Sequence, residues 1–127
     1  MGKKIILGLI ENVTLIGPQQ QQTILARIDT GATSSSLDIN LAAKLDLSQS
    51  HKSKLIKSAS GVRHRPIVTA KIRMEGLTIT EEFSLVDRSH MSYPVLIGQN
   101  ILKKGNFLID PQKEWGKYQN RSPKEWP

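Results

Sequence analysis

Short runs rich in Ile, Leu and Val, each closed by a turn signal, follow one another from residue 5 to residue 110, and this punctuation sets the fold class. "KKIILGLIENVTLIG" reads as a strand, "GPQQQQ" as a turn and loop, and "TILARID" as a second strand. In that second strand Ile24, Ala26 and Ile28 share one face while Leu25 and Arg27 take the other, so a hairpin delivers Asp29 at its end. "SLDINLAAKLDLS" breaks the pattern: Asp38 is placed to cap a short helix, with Leu41, Ala42 and Leu45 at helical spacing. "SKLIKSASGVRHRPIVTAKIRM" predicts a hairpin turning at Ser58-Ala59-Ser60-Gly61 and basic on both arms. "GLTITEEFSLVD" alternates as a strand entered through a turn at Glu75-Gly76. "YPVLIGQNILKKGNFLIDP" gives a short apolar strand, a glycine, a helical turn ending near Gly105, and a last strand stopped by Asp110-Pro111. The expectation is an all-β protein, a small closed barrel with one or two short helices, spanning residues 1–111. Residues 112–127 form a polar tail with two tryptophans, Trp115 and Trp126, which either anchor a partner or lie on the chain's own domain.

Composition narrows the functional classes. At 127 residues, 38% hydrophobic and 23% charged, the chain fits one soluble domain with a core of modest size. It has no cysteine, which removes disulfides, thiolate metal sites and a cysteine nucleophile. The net charge of +7 is scattered over several short clusters, and the six aromatic side chains (two Trp, two Tyr, two Phe) are not interleaved with them. A nucleic-acid-binding barrel, which needs such a footprint and a steep salt dependence, is therefore disfavoured. The apolar run Ile5 to Ile10 is broken by Glu11-Asn12 without a cleavage site, and position 6 holds Ile where a myristoylation signal carries Ser or Thr. No apolar run reaches the roughly 20 residues needed to cross a bilayer. A cytoplasmic protein with no membrane partner is expected.

The chemistry-bearing candidate is "RIDTGATSSSL". An acid that ends a strand is commonly structural, and Asp-Thr-Gly has a chance of roughly 2 to 3 in 100 of arising anywhere in a chain this long. The triplet alone leaves both a turn and a reactive acid open. Its context adds small residues (Ala32, Thr33, Ser34, Ser35, Ser36), which leave a carboxylate uncovered and let two such loops approach. Downstream, "PVLIG" supplies an apolar strand and glycine able to run behind the loop.

Asp29-Thr30-Gly31-Ala32, a hairpin with a Ser/Gly tip, and then Leu96-Ile97-Gly98-Gln99-Asn100-Ile101-Leu102 together resemble a retropepsin, the single-lobe homodimeric aspartic peptidase of retroviral type. The order of elements matches over roughly residues 5 to 110. "RIDTGATSSSLD" with "LVDRSHMSYPVLIG" is similar more narrowly to cellular retropepsin-like domains often labelled "ATP-dependent zinc protease". The resemblance implies catalytic roles for Asp29, Thr30 and Gly31, and substrate contact at Ala32, Ile97 and a flap tip of Ser58, Ala59, Ser60 and Gly61. It implies structural support from Leu96 and Gly98. One Asp-Thr-Gly supplies one carboxylate, and this mechanism needs two, so a homodimer is implied that pairs Asp29 with its symmetry mate and hydrolyses peptide or protein substrates. The alternative is a dimeric peptide-binding or scaffolding domain of weak or no turnover on the same fold.

The sequence departs from the viral pattern in two places. Thr33, Ser34 and Gln99 stand where viral retropepsins carry an acid and an arginine that pair, and the flap tip has one glycine. No cofactor or metal is expected. His51, His64 and His90 are spread apart, no His-Glu-x-x-His occurs, and no Gly-x-x-x-x-Gly-Lys-Ser/Thr loop is present for ATP phosphates. Asp87 and Arg88 are expected to form a local ion pair. The basic hairpin arms (Lys52, Lys54, Lys57, Arg63, Arg65) suggest a preference for acidic peptides.

Overall fold

The computed structural model describes residues 4–47, 53–58 and 61–114, with side chains described except at 53–58 and Arg63. The elements in order are β1 (Ile5–Leu7), β2 (Ile10–Ile16), β3 (Gln21–Ile28), β4 (Ser35–Asp38), α1 (Ile39–Lys44), β5 (Ser53–Ser58), β6 (Gly61–Met74), β7 (Leu77–Val86), β8 (Val95–Ile97), α2 (Gln99–Leu102) and β9 (Phe107–Ile109). Strands β2, β3, β8, β4, β7 and β6 follow one another in the sheet, and a β2–β6 pairing closes them into a six-stranded barrel. The expected small closed barrel with two short helices is what forms.

Alternation explains the interior. Val13 and Leu15 of β2, Ile24, Ala26 and Ile28 of β3, Val68, Ala70, Ile72 and Met74 of β6, and Phe83 of β7 all enter one core. Leu37, Val95 and Ile97 fill its centre with no exposure, and Leu41, Ala42 and Leu45 of the α1 segment close one side. The 14-residue β6 serves two partners. Its first half pairs with β5 (Ser58↔Gly61 to Ser53↔Pro66), and its second half pairs with β7 (Ile67↔Ser84 to Met74↔Leu77). The β5–β6 hairpin thus leaves the barrel at Ile67. The β6–β7 turn uses Glu75 and Gly76 at φ of 50° and 78°, the left-handed pair that suits a two-residue hairpin. Asp38 accepts from Asn40 N and Leu41 N and caps α1 as expected.

Several expectations are corrected. The N-terminal apolar run is two strands: the chain breaks at Gly8, where a Cβ would lie 2.9 Å from Lys113 O, and β1 pairs in parallel with β9. Ser35 and Ser36, expected in the loop of small residues, form strand β4 with Leu37 and Asp38, parallel to β7 and antiparallel to β8. Asp87 and Arg88 do not pair with each other; neighbouring residues of an extended chain point opposite ways. Asp87 accepts from Ser89 N, whereas Arg88 turns inward, donating Nε to Tyr93 O and its backbone N to Asp38 Oδ1. Packing continues past residue 111, since Lys113 reaches Ile6 O and Glu11. Residues 115–127, with both tryptophans, and Ala59 and Ser60 of the hairpin tip lie outside the described residues. No described helix is long and apolar enough to cross a membrane.

Candidate active site

Asp29 follows directly on β3, and the register Ile28↔Ile97 lays β8 alongside that strand's end. The Asp29 N–H donates to Ile97 O at 2.9 Å, so β8 fixes the root of the turn. Asp29 is half-buried, while Thr30 and Gly31 stand exposed at the tip. The carboxylate folds back over its own turn, with Oδ1 accepting from Gly31 N at 2.9 Å. A Cβ on Gly31 would sit 3.4 Å from that oxygen, so any side chain there would begin to shield the acid.

The far side of the turn is held by the start of α2. Gln99 N donates to Ala32 O at 2.8 Å and Asn100 N to Thr33 O at 3.2 Å. Gln99 Nε2 donates to Thr30 O at 2.8 Å. These bonds require the two segments to cross closely at Gly98, where a Cβ would run into the Ser34 carbonyl and lie 2.8 Å from Ala32 O. Gly98 is therefore required by contact. Its N–H donates to the buried Ser35 hydroxyl at 2.9 Å, and that hydroxyl donates to Asn100 Oδ1 at 2.7 Å. Asn100 Nδ2 completes the chain on Glu82 O at 2.9 Å. Around the positions where an acid and an arginine pair in the viral pattern, the bonds here are neutral: Gln99 Nε2 to Thr30 O, Asn100 N to Thr33 O and Ser35 to Asn100. Sequence reasoning noted the missing charges; it did not find Ser35, Asn100 or the Gln99 contact, because small polar residues carry no pattern of their own.

Leu96, expected as support, and Ile97, expected at the substrate, differ in burial. Ile97 is fully buried in the core and supports the turn through its carbonyl, so its side chain offers nothing to a substrate; Leu96 is the half-exposed member. Ala32 is half-buried with its carbonyl committed to Gln99. Ser58 and Gly61 face each other across the hairpin, whose side chains on β5 are not described.

Two flanking features were not legible. A cavity of about 200 Å³ opens beside the turn, lined by Thr33, Ser34, Ile67, Glu82, Ser84 and Asn100, at the point where the β5–β6 hairpin leaves the barrel. On another side, burial lowers the Arg88 guanidinium from its ordinary value; Asp38 works against that shift and Arg27 adds to it. Burial also raises the Tyr93 phenol, against the charge of Arg27. Among the described residues no three of His, Asp and Glu converge as a metal site would need.

The geometry has counterparts in known proteins. A family model described as RimB-like, "Retropepsin-like aspartic endopeptidase RimB", matches residues 43–119, a span that begins after Asp29. No curated protein matches the sequence. Among solved structures, the Legionella pneumophila protein Lpg0085, described as of unknown function (DUF785), is 23% identical over 89% of this chain and 98% of its own, with a TM-score of 0.65. The protease of equine infectious anaemia virus (EIAV), solved with the inhibitor HBY-793, gives 18% identity, 75% and 85% coverage and a TM-score of 0.58. The simian foamy virus protease gives 16%, 74% and 91%, and 0.53. At these identities the structures establish the fold, a retropepsin-type barrel.

Proposed function

The chain belongs to the RimB-like family of retropepsin-like aspartic endopeptidases, and from that premise we propose that it hydrolyses peptide bonds with a carboxylate pair, one Asp29 from each of two copies. The observation that carries this reading is the placement of Asp29: a half-buried acid on an exposed turn that main-chain bonds fix at both ends. It is one half of a general acid/base pair in a setting open to the other half.

Two carboxylates at close range cannot both ionise cheaply, so the pair holds one shared proton. The ionised member takes a proton from water as that water attacks the scissile carbonyl carbon. The protonated member gives its proton to the carbonyl oxygen. Collapse of the tetrahedral diol then breaks the C–N bond, with a proton passing to the amine. Leu96 would line the substrate groove in place of Ile97, and the β5–β6 hairpin would close over an extended peptide and exclude water.

Exposed apolar side chains, one of them beside the root of the turn, are what a second copy could cover. Leu9 O accepts from Ile28 N, one residue before Asp29, and Leu9 is 48% exposed. Ile6 and Leu108, adjacent in the β1–β9 register, are 41% and 51% exposed. A second copy approaching Asp29 would cover these side chains.

The test is Asp29→Asn. Peptide cleavage should fall to background while the variant keeps the fold and association state of the parent. Undiminished cleavage in that variant would end the peptidase reading, and a folded dimer without cleavage in the parent would favour the peptide-binding alternative.

A further inference from the structure

We infer that Gln99 is the positioning residue of the Asp29 turn, its side-chain amide holding the exposed apex, and with it the carboxylate, against the rigid start of α2. The catalytic consequence rests on the peptidase reading above; the ordering of the turn does not.

Both ends of the turn are held by main-chain bonds, from Asp29 N to Ile97 O at the start and from Gln99 N to Ala32 O at the finish. The apex between them is exposed, and Gly31 N is committed to Asp29 Oδ1, a bond inside the turn that moves with it. Gln99 Nε2 on Thr30 O, at 2.8 Å, ties the apex to the scaffold. The scaffold end of that tie is itself fixed. Gln99 is the first residue of α2, its N–H sits on Ala32 O, and its carbonyl accepts from Lys103 N at 2.9 Å. The side chain therefore spans a short distance from an anchored root to a carbonyl one residue from Asp29.

The chemistry of the residue matters as much as its reach. The amide is neutral, so it braces the turn without setting a fixed charge beside the acid. Glu at this position would lose the donor and add a second negative charge. Leu would lose the donor alone, and Arg would restore a donor in a longer side chain. A carboxylate that must meet both a water and a carbonyl is sensitive to small displacement, and a misplacement of about 1 Å can cost up to about a hundredfold in rate. Loss of one neutral hydrogen bond at an exposed site loosens the turn by about fivefold.

The experiment compares Gln99→Leu and Gln99→Arg with the parent in kcat, KM, thermal midpoint and amide hydrogen exchange at Gly31 and Ala32. Leu should lower kcat about tenfold with KM within about twofold and the thermal midpoint unchanged, and should speed exchange at the two amides about fivefold; Arg, which restores the donor but adds a charge beside the acid, should recover the exchange. Unchanged exchange in the Leu variant overturns the proposal. So does a kcat loss that follows the thermal midpoint. Exchange is read whether or not peptides are cut. If Asp29→Asn shows the catalytic reading to be wrong, faster exchange in Leu recovered by Arg still supports the brace, and its absence still overturns it.

Discussion

Lys113 sets its ammonium 2.8 Å from Oε2 of the buried Glu11, the same oxygen that takes the Gly8 N–H at 2.6 Å. The lysine also donates to Ile6 O at 2.8 Å and reaches Glu75 at 3.3 Å. One side chain thus joins the segment after β9 to β1, β2 and the β6–β7 turn. Lys113→Met strands a buried carboxylate on a single backbone donor. It should cost about 2 kcal/mol in urea unfolding, less than a fully buried pair because the lysine is partly exposed. A loss below about 0.5 kcal/mol would show that the pair contributes nothing net.

The same pair gives a pH dependence with a definite sign. Burial alone would depress Lys113, but the hydrogen bond and charge of Glu11, with Glu75, outweigh it and the group is raised above its ordinary value. A raised lysine stabilises fully below its unfolded value of about 10.4 and loses that contribution as pH climbs through the folded value. The parent should therefore lose stability more steeply than Lys113→Met in the alkaline range above about pH 10, and the two curves should run parallel between about pH 6 and 9.

Asp38 holds three donors, the Asn40 and Leu41 amides of the α1 cap and the Arg88 amide. Asp38→Ala should cost about 2–3 kcal/mol, combining a lost cap with a buried arginine deprived of the attractive charge of Asp38. Asp38→Asn keeps the cap oxygen and should cost about 1 kcal/mol. Equal losses in the two variants, measured by chemical denaturation, would assign the whole effect to the charge.

If a second copy covers Ile6, Leu9 and Leu108, a carboxylate among them is expensive to bury. Leu108→Glu should shift sedimentation toward the monomer and make specific activity fall on dilution, with the monomer's circular dichroism unchanged. A variant that sediments like the parent would place the contact elsewhere.

The hairpin register sets Lys54 opposite Arg65, so both arms carry basic residues. An acidic segment lying under the hairpin would meet that basic character. A peptide library cleaved by the parent should show enrichment of Asp and Glu, at least a few-fold, that fades at high salt. A profile indifferent to charge would dismiss the preference.

What the sequence reveals depends on whether a residue's role is local. Asp38 is legible because a cap is decided by the next three residues, and Ile24, Ala26 and Ile28 because alternation alone sorts them. The juxtaposition of Asp29 with Ile97 and Gly98 is legible through the order of two motifs. β4 is not, since Ser35 and Ser36 have little strand character and pair only because β7 and β8 flank them. Arg88 suggests an ion pair one residue away, but its guanidinium turns to Tyr93 O and its backbone amide to Asp38, fifty residues away. Ser35, Gln99 and Asn100 are hidden for the same reason: each acts through hydrogen bonds to segments distant in sequence, and neutral side chains give no charge pattern to follow.

The parallel pairing of β1 with β9 also dictates an order of assembly. Ile5 meets Phe107, so β1 has no mate until about a hundred further residues have been synthesised, and closing so long a loop is entropically slow. The bonds that seat Asp29 come from Leu9, Ile97 and Gln99, all ahead of residue 107. A nascent chain stalled before β9 can therefore carry a seated acid while β1 still waits for its mate.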